Sequence, residues 1–498
     1  MNLSTSLPAL IVLSSLLPGV VIFFLREDQP GLRITLNMFG ATVKLVLVGF
    51  LLWGVSHGQQ FESRLTLLPG LDLVLNADAL SMMFVALSTV LWFVTTVYAI
   101  GYLEDSPHRS RFFGFFSLCV SATIGIALAG NLVTFFIFYE VLTLSTFPLV
   151  VHRGTPEALR AGKIYLAYTL IGGTVFLAGV AWLRALAGPL DFTETGILSA
   201  RSDLDPATLK IIFVLLIGGL GVKAALVPLH GWLPKAMVAP APVSSLLHAV
   251  AVVKAGAFGI ARVVYDVYGI EFAQQLNLLA PLAVIAAITI VYGSLRALYQ
   301  DELKKRLAYS TVSQVSYITL GVAIFGPIAT VGGVVHLVHQ GIMKITLFFC
   351  AGNYAETLGI HHISEMHGVG RRMPWTTAAF TLGALGMIGV PPLAGFISKW
   401  YLGSGALAAG ETWVLWVLAA SSLLNAAYFL PILYIAWFKP ATGPWPHEHS
   451  HPRFEAPLAL LLPPLVTGAL ALVVGAAAAA PWSPLDWAQL IASREYKQ

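Results

Sequence analysis

Nine ionisable residues stand inside or beside long apolar runs of this chain, and their types suit the handing on of protons: Glu140, Lys223, His230, His248, Lys254, His336, His339, Lys344 and Lys399. A lysine stripped of water can give up its proton, whereas an arginine stays charged. Of the 28 Lys and Arg, five are assigned to apolar spans and all five are lysines, the fifth being Lys44. No arginine is expected in a buried position, and Glu140, in Phe-Phe-Ile-Phe-Tyr-Glu-Val-Leu, is taken as the one acid well inside a span. A lysine at mid-membrane depth costs about 2.5–3.5 kcal/mol, so five uncompensated ones would cost on the order of 15 kcal/mol. A single lysine can instead snorkel to the interface or be fixed by a partner. That alternative stays open for Lys44, which has no obvious companion, while the other four are accompanied by histidines and helix breaks.

Spacing sharpens the pattern. His336, Gln340 and Lys344 recur every four residues and so share one helix face, with His339 beside them. His248 and Lys254 are expected on a single helix, nearly two turns apart and on opposite faces, so that water or neighbouring groups must join them. Zinc is the competing use of such histidines, but no Cys or carboxylate ligands stand near them in sequence, and neither a metal nor a cofactor is expected. Cys119 and Cys350 lie in apolar helices as small hydrophobes. The His447-Glu-His-Ser-His segment reads as a solvated cytoplasmic loop. No P-loop, dinucleotide fingerprint or iron–sulfur cysteine cluster is present, so redox centres would belong to partners.

The elements that position these groups are membrane helices. The chain is 57% hydrophobic and 10% charged, where a soluble protein has about 25% charged residues. Apolar windows of about 20 residues recur throughout. They are too long and unbroken for a β-barrel, and only helices or closed barrels satisfy the backbone in lipid. The expected fold is an all-α integral membrane protein forming one transmembrane domain over 1–498. Its fourteen spans begin near Leu7, Ile34, Leu80, Phe112, Asn131, Lys163, Thr208, Ser244, Leu276, Thr311, Ala329, Pro374, Thr412 and Ala456. The first is retained, since Arg26, Glu27 and Asp28 follow it without a small-residue cleavage site. Sixteen loop Lys and Arg fall on one side and seven on the other. By the positive-inside rule, this puts both termini on the non-cytoplasmic side of the cell (inner) membrane. The net charge of +4 then reflects topology and gives no reason to expect nucleic acid.

Two spans are interrupted by proline and glycine, around Pro228 and Pro391, and each interruption carries a lysine. The two prolines stand 163 residues apart, as do, nearly, the starts of spans four and nine. This spacing suggests a five-helix repeat: residues 1–111 hold helices 1–3, 112–265 repeat one, 274–438 repeat two and 455–480 helix 14. An odd number of helices per copy inverts the second copy, and paired breaks in inverted halves point to a transporter's ion path. Two unrelated proline kinks are the alternative.

From Asp78 to Lys399 the chain resembles the antiporter-like subunits of respiratory complex I, Mrp-type cation/proton antiporters and membrane-bound hydrogenases. The resemblance rests on Lys223-Ala-Ala-Leu-Val-Pro-Leu-His-Gly-Trp-Leu-Pro and Ala241-Pro-Val-Ser-Ser-Leu-Leu-His-Ala. It also rests on Phe138-Tyr-Glu-Val-Leu, Tyr309-Ser-Thr-Val-Ser-Gln and Gly389-Val-Pro-Pro-Leu-Ala-Gly-Phe-Ile-Ser-Lys. The resemblance implies that Glu140 pairs with Lys223, that Lys254 is the central proton carrier and that Lys399 ends the route. Members carry a central histidine or only the lysine, whereas this chain has both His248 and Lys254; Lys235 departs from the acid that many complex I members have there. The chain stops soon after span fourteen, as in an Mrp D-type or hydrogenase-type subunit. Expected partners are other membrane subunits of a hetero-oligomeric complex, the lipid bilayer and protons, with sodium as an alternative ion. A stand-alone secondary transporter and a non-conducting scaffold for a redox arm are the competing functions.

Overall fold

The computed structural model describes residues 3–103, 106–201, 203–448 and 454–496. Helices α1 (Leu3–Phe23) and α2 (Pro30–Ser56) are followed by a hairpin, β1 (Glu62–Leu68) and β2 (Leu71–Asn76), and by α3 (Ala79–Tyr102). Then come α4 (Arg109–Ala127), α5 (Leu132–Val150), α6 (Pro156–Ala187), α7 (Pro206–Lys223), the short α8 (Trp232–Lys235), α9 (Ala241–Ala249), α10 (Val252–Arg262) and α11 (Ile270–Gln275). The second half runs through α12 (Leu279–Leu298), α13 (Leu303–Ala323), α14 (Pro327–Leu358), the one-turn α15 (Val369–Arg372), α16 (Pro374–Ile388) and α17 (Ala394–Ala408). It ends with α18 (Trp413–Phe438), α19 (Leu458–Ala476) and α20 (Pro484–Glu495).

Among the described residues, twelve helices are long and apolar enough to cross a membrane, with α9 and α10 counted as one span reaching Tyr268. The two remaining expected spans fall on α13, whose first turn takes in Lys304, Lys305 and Arg306, and on the pair α16–α17. The hairpin is an addition to the all-helical expectation. Its strands pair antiparallel with Glu62 opposite Asn76 and Arg64 opposite Val74, and Arg64 ties it to Asp72 and Asp191 at 2.9 and 2.8 Å.

Large apolar side chains such as Phe50, Val214, Trp416 and Leu423 are exposed on the outside of the bundle, as a lipid-facing surface requires. Two spans contribute nothing to that surface: in the most apolar stretches of α9–α10 and of α14, every residue is buried. They form the central axis, and they carry His248, Lys254, His336, His339 and Lys344.

Glycines bring the other elements up to this axis. A Cβ on Gly256 would stand 2.2 Å from the Ala224 backbone nitrogen and 2.7 Å from the Lys223 carbonyl carbon, so α10 lies directly on the end of α7. A Cβ on Gly341 would meet the Ala249 carbonyl at 3.0 Å, which sets α14 against the end of α9.

Candidate functional site

Three helix interruptions, one more than expected, organise the buried charges. The first ends α7 at Lys223, after which Ala225 takes a positive φ and Val227–Pro228 is cis. Trp232 Nε1 donates to the Val222 carbonyl at 2.7 Å, satisfying one of the acceptors that the helix end frees. The second ends α16 at Ile388, with Gly389 at φ 97° and Pro391–Pro392 cis before α17 begins. The third lies at Val250 and Ala251, between His248 and Lys254. These two residues therefore occupy separate helices, not the continuous one expected, with His248 in the last turn of α9 and Lys254 in the first turn of α10. The segment His-Ala-Val-Ala-Val contains neither proline nor glycine, so nothing in it signals a break.

At the α7 end, Lys223 Nζ donates to the Tyr139 carbonyl and sits 3.2 Å from the centre of the Tyr139 ring. Glu140, next along α5, is an electrostatic neighbour of Lys223. The two make no direct ion pair, and Glu140 Oε1 has no partner within the protein. Room for that carboxylate comes from Gly173 of α6, where a Cβ would fall 2.2 Å from Oε1. Lys44 stands apart from this group: it donates to Ser15 Oγ at 2.5 Å and lies 4.6 Å from the Trp92 ring centre, so it does have companions.

The centre holds groups without protein partners. Lys254 Nζ, both ring nitrogens of His248, His336 Nε2 and both amide atoms of Gln340 are buried and unbonded, and the His339 ring, near the Ala394 backbone, and the Gln314 amide, near Tyr317, make no well-formed hydrogen bond. Buried polar atoms in native proteins are paired with protein or water, so bridging water is what this compartment calls for. Lys254 is within electrostatic reach of His336, His339 and Lys344. His248 stacks on Phe348 at 4.6 Å.

Beyond the centre the groups are linked continuously. Lys344 Nζ donates to Ser310 Oγ at 2.6 Å, and Ser310 Oγ lies 2.8 Å from the Tyr428 hydroxyl, which donates to Asn425 Oδ1. Asn425 Nδ2 and Lys399 Nζ both donate to the Met387 carbonyl at 3.1 Å. Lys399 also donates to the Ile388 carbonyl at 2.7 Å and to Ser422 Oγ at 3.0 Å. His336 Nδ1 is 2.7 Å from the hydroxyl of Ser398, the neighbour of Lys399. His230 lies in the break after α7, its ring 4.9 Å from that of Tyr292 and 6.3 Å from that of Tyr309, with no hydrogen bond to the lysines.

Lys399 donates to the last carbonyls of α16, the negative end of that helix, and Lys223, the last residue of α7, donates to the Tyr139 carbonyl within α5. Lys254 is placed in the first turn of α10, where the backbone offers N–H groups. Charge is thus favoured by the backbone at both ends of the row and not at its middle.

Residues 129–425 match the family described as NADH:quinone oxidoreductase/Mrp antiporter, transmembrane region. The chain belongs to this family. Residues 70–113 also match the N-terminal region of complex I chain 5. An NADH-quinone oxidoreductase subunit of Desulforudis audaxviator is 35% identical over 420 residues, covering 82% of each chain. A Na(+)/H(+) antiporter subunit of Bacillus subtilis is 26% identical over 466 residues, covering 93% of this chain and 92% of the relative. Among solved structures, a chain of the membrane-bound sulfane sulfur reductase, an archaeal respiratory membrane complex, superimposes with a TM-score of 0.87 at 25% identity, covering 99% of this chain and 98% of that one. The protein is an antiporter-like multi-span membrane subunit of the kind shared by these complexes.

For this antiporter-like chain, two sequence expectations are overturned. An arginine is buried: Arg262 is 1% exposed near the end of its span, and Arg33 is 2% exposed in the first turn of α2. Glu140 is not the only acid inside a span either, because Asp266, four residues after Arg262, is 3% exposed. A span of about 20 residues from Ser244 ends near residue 263, so Arg262 falls at its very edge, where a cation reads as part of the outer loop. The helix instead continues through a wider-wound segment, Val263–Tyr268, and carries its own counter-ion at i+4. Ser310, Tyr428 and Asn425 are further site residues that the sequence reading does not single out, although an Asn and a Tyr three residues apart in the apolar run of α18 are a readable sign. His449, His451 and Arg453 lie outside the described residues.

Proposed function

We propose that this chain translocates protons within a multisubunit membrane complex, an Mrp-type cation/proton antiporter or a related complex I or membrane-bound hydrogenase. The observation that carries this reading is the row itself. Lys344 is joined to Lys399 through Ser310, Tyr428, Asn425 and the Met387 carbonyl, and the unpartnered Lys254, with His339, lies between that link and the Glu140–Lys223 neighbours. Protons are the carried ion, sodium is the alternative exchange ion, and the outer belt of Leu, Val, Phe and Trp faces lipid. In this reading, 112–265 and 274–438 act as two inverted halves, each with a lysine at its broken helix, and both termini face the non-cytoplasmic side.

The two ends differ in how they would work. Glu140 favours a charged Lys223 when it is near and releases that preference when it moves away. Replacing it by Gln removes one negative charge while filling the same space beside Gly173. Glu140→Gln is expected to assemble with its partner subunits and to lower proton flux in reconstituted vesicles by about 10²-fold, the usual effect of losing a positioned proton-transfer partner. Unchanged flux would leave the scaffold reading. Ion exchange by the chain purified without any partner would favour the stand-alone transporter, and mass spectrometry of co-purifying subunits identifies the complex.

A further inference from the structure

The acids around Arg262 form a second charged compartment that the lysine row does not use. Arg262 Nη1 lies 2.8 Å from Asp78 Oδ2 and 2.9 Å from Asp266 Oδ2, and Nη2 donates to Asp78 Oδ1 at 3.0 Å and to Ser81 Oγ at 2.6 Å. Phe192 and Phe258 flank the guanidinium, with ring centres at 5.3 and 5.1 Å. Asp78 has a second task, accepting from the Ser81 backbone N–H to cap α3. One cation is thereby shared between two carboxylates.

Glu495 of α20 makes a third. It is 8% exposed, its Oε2 has no partner in the protein, and it interacts electrostatically with Asp266, Arg262, Asp78 and Glu194. Glu194 is paired at the surface with Arg494, 3.4 Å away and partly exposed. Glu495 is held there because α20 is anchored along its length. Trp487 Nε1 donates to the Ala79 carbonyl at 2.7 Å, and the Tyr496 hydroxyl accepts from Gly326 N at 2.9 Å and lies 3.1 Å from Thr330 Oγ1. Tyr265 donates to the same Thr330 at 3.0 Å, so hydroxyls connect the end of the α9–α10 span, α14 and α20 beside the carboxylates. A cavity of about 390 Å³ reaches Asp266, Asp78 and Glu194 from the side of the hairpin.

Fully ionised, Asp78, Asp266 and Glu495 would place three negative charges against one guanidinium in a place where Arg262, Asp266 and Glu495 are each less than a tenth exposed. Two uncompensated buried charges are costly, and the group that can take up a proton does so. A proton fits better than an alkali cation, since the Asp78 and Asp266 carboxylates already face Arg262 and the guanidinium would repel a second cation.

We propose that Glu495, paired with Asp266, is a proton-binding carboxyl site loaded from the hairpin-side cavity, a station separate from the lysine row. A hydronium ion in the cavity loses one O–H bond and becomes water, its proton passing by way of Asp266, which lines the cavity, to form one O–H bond on a Glu495 oxygen, and no electron moves. The site stands at the far end of the helix that carries Lys254: residues 254, 258, 262 and 266 recur every four, with the buried Phe258 between the lysine and Arg262. Burial, first, and then the neighbouring Asp266 push the Glu495 carboxyl up to about 10. The folded state therefore holds a proton that the unfolded chain has already released. Stability from this group is fullest below the ordinary carboxylate range and is lost as pH rises towards about 10.

The test uses the full chain in its purified complex, with Glu495→Gln and Asp266→Asn. At neutral pH the wild type should show the infrared carbonyl band of a protonated carboxyl, absent in Glu495→Gln and titrating at lower pH in Asp266→Asn, which removes a negative neighbour. The melting temperature of the wild type should fall between neutral pH and pH about 10, and that slope should flatten in Glu495→Gln. A band of equal strength in wild type and Glu495→Gln would overturn the proposal. So would disappearance of the band on adding sodium at fixed pH, which would assign the site to an alkali cation. Both readouts are equilibrium measurements and stand whether or not the lysine row carries protons.

Discussion

Replacing Lys254 by Arg should abolish most proton movement while leaving the complex assembled. The expected fall in flux across reconstituted vesicles is about 10²-fold or more, the usual contribution of a positioned proton-transfer group. Arg keeps the positive charge, so a structural cation would survive the change, but the guanidinium does not give up its proton. Lys254 Nζ has no partner in the protein, so no hydrogen-bond geometry holds it in one protonation state. Its place in the first turn of α10 denies the ammonium the carbonyl acceptors that Lys223 and Lys399 enjoy. Arg is larger and the site is fully enclosed, and overpacking of this kind costs about 1–3 kcal/mol; thermal stability of the complex is the control. If Lys254 only compensated charge, Arg would be tolerated and Ala would destabilise. His248, on the other side of the break, is a group that could stand in, so the decisive variant is Lys254→Arg with His248→Ala. Wild-type flux in that double variant removes Lys254 from the route.

Much of this arrangement was legible in the sequence, because burying a charge in lipid is so costly that its residue type is itself a signal. Twelve of the fourteen spans expected from apolar windows fall on helices long and apolar enough to cross a membrane, and Lys223 and Lys399 stand out because Gly and Pro mark the breaks beside them. Legibility failed where the structure uses no special residue. The interruption between His248 and Lys254 is made by Val250 and Ala251, with backbone angles of φ −128° and −92°, and its freed groups face α14 across Gly341. Packing, and not local propensity, sets that break. Arg262 and Asp266 were hidden for a different reason. They lie at the end of an average span and just beyond it, where a charged residue reads as a loop, and the covering of that end by α20 and the hairpin side encloses them. The hydroxyl and amide groups that link Lys344 to Lys399 come from α13 and α18, and no spacing within one helix can reveal a contact between two.

That link gives the second large effect. In the proposed route Lys399→Ala removes a carrier but little packing volume, since its side chain is only part-buried and its partners are the Met387 and Ile388 carbonyls and Ser422. Assembly should be normal, and flux should fall by about 10²-fold. Tyr428→Phe discriminates between two explanations of that loss. It keeps the ring that packs on Phe429 at 4.7 Å and removes only the hydroxyl between Ser310 and Asn425. If these hydrogen-bonded side chains hold Lys344, Lys399 and the water between them in place for transfer, loss of this hydrogen bond, worth about 1.4 kcal/mol, should slow flux roughly tenfold. If water alone connects Lys344 to Lys399, Tyr428→Phe should run at the wild-type rate while Lys399→Ala stays slow. Wild-type flux in Lys399→Ala would take the lysine out of the route altogether, leaving its hold on the end of α16 as its only role. Measuring both variants beside Asn425→Leu, which cuts the same chain one group later, separates a broken link from a shifted helix: the two side-chain cuts should agree in size, and a shifted α18 would also lower the thermal stability of the complex.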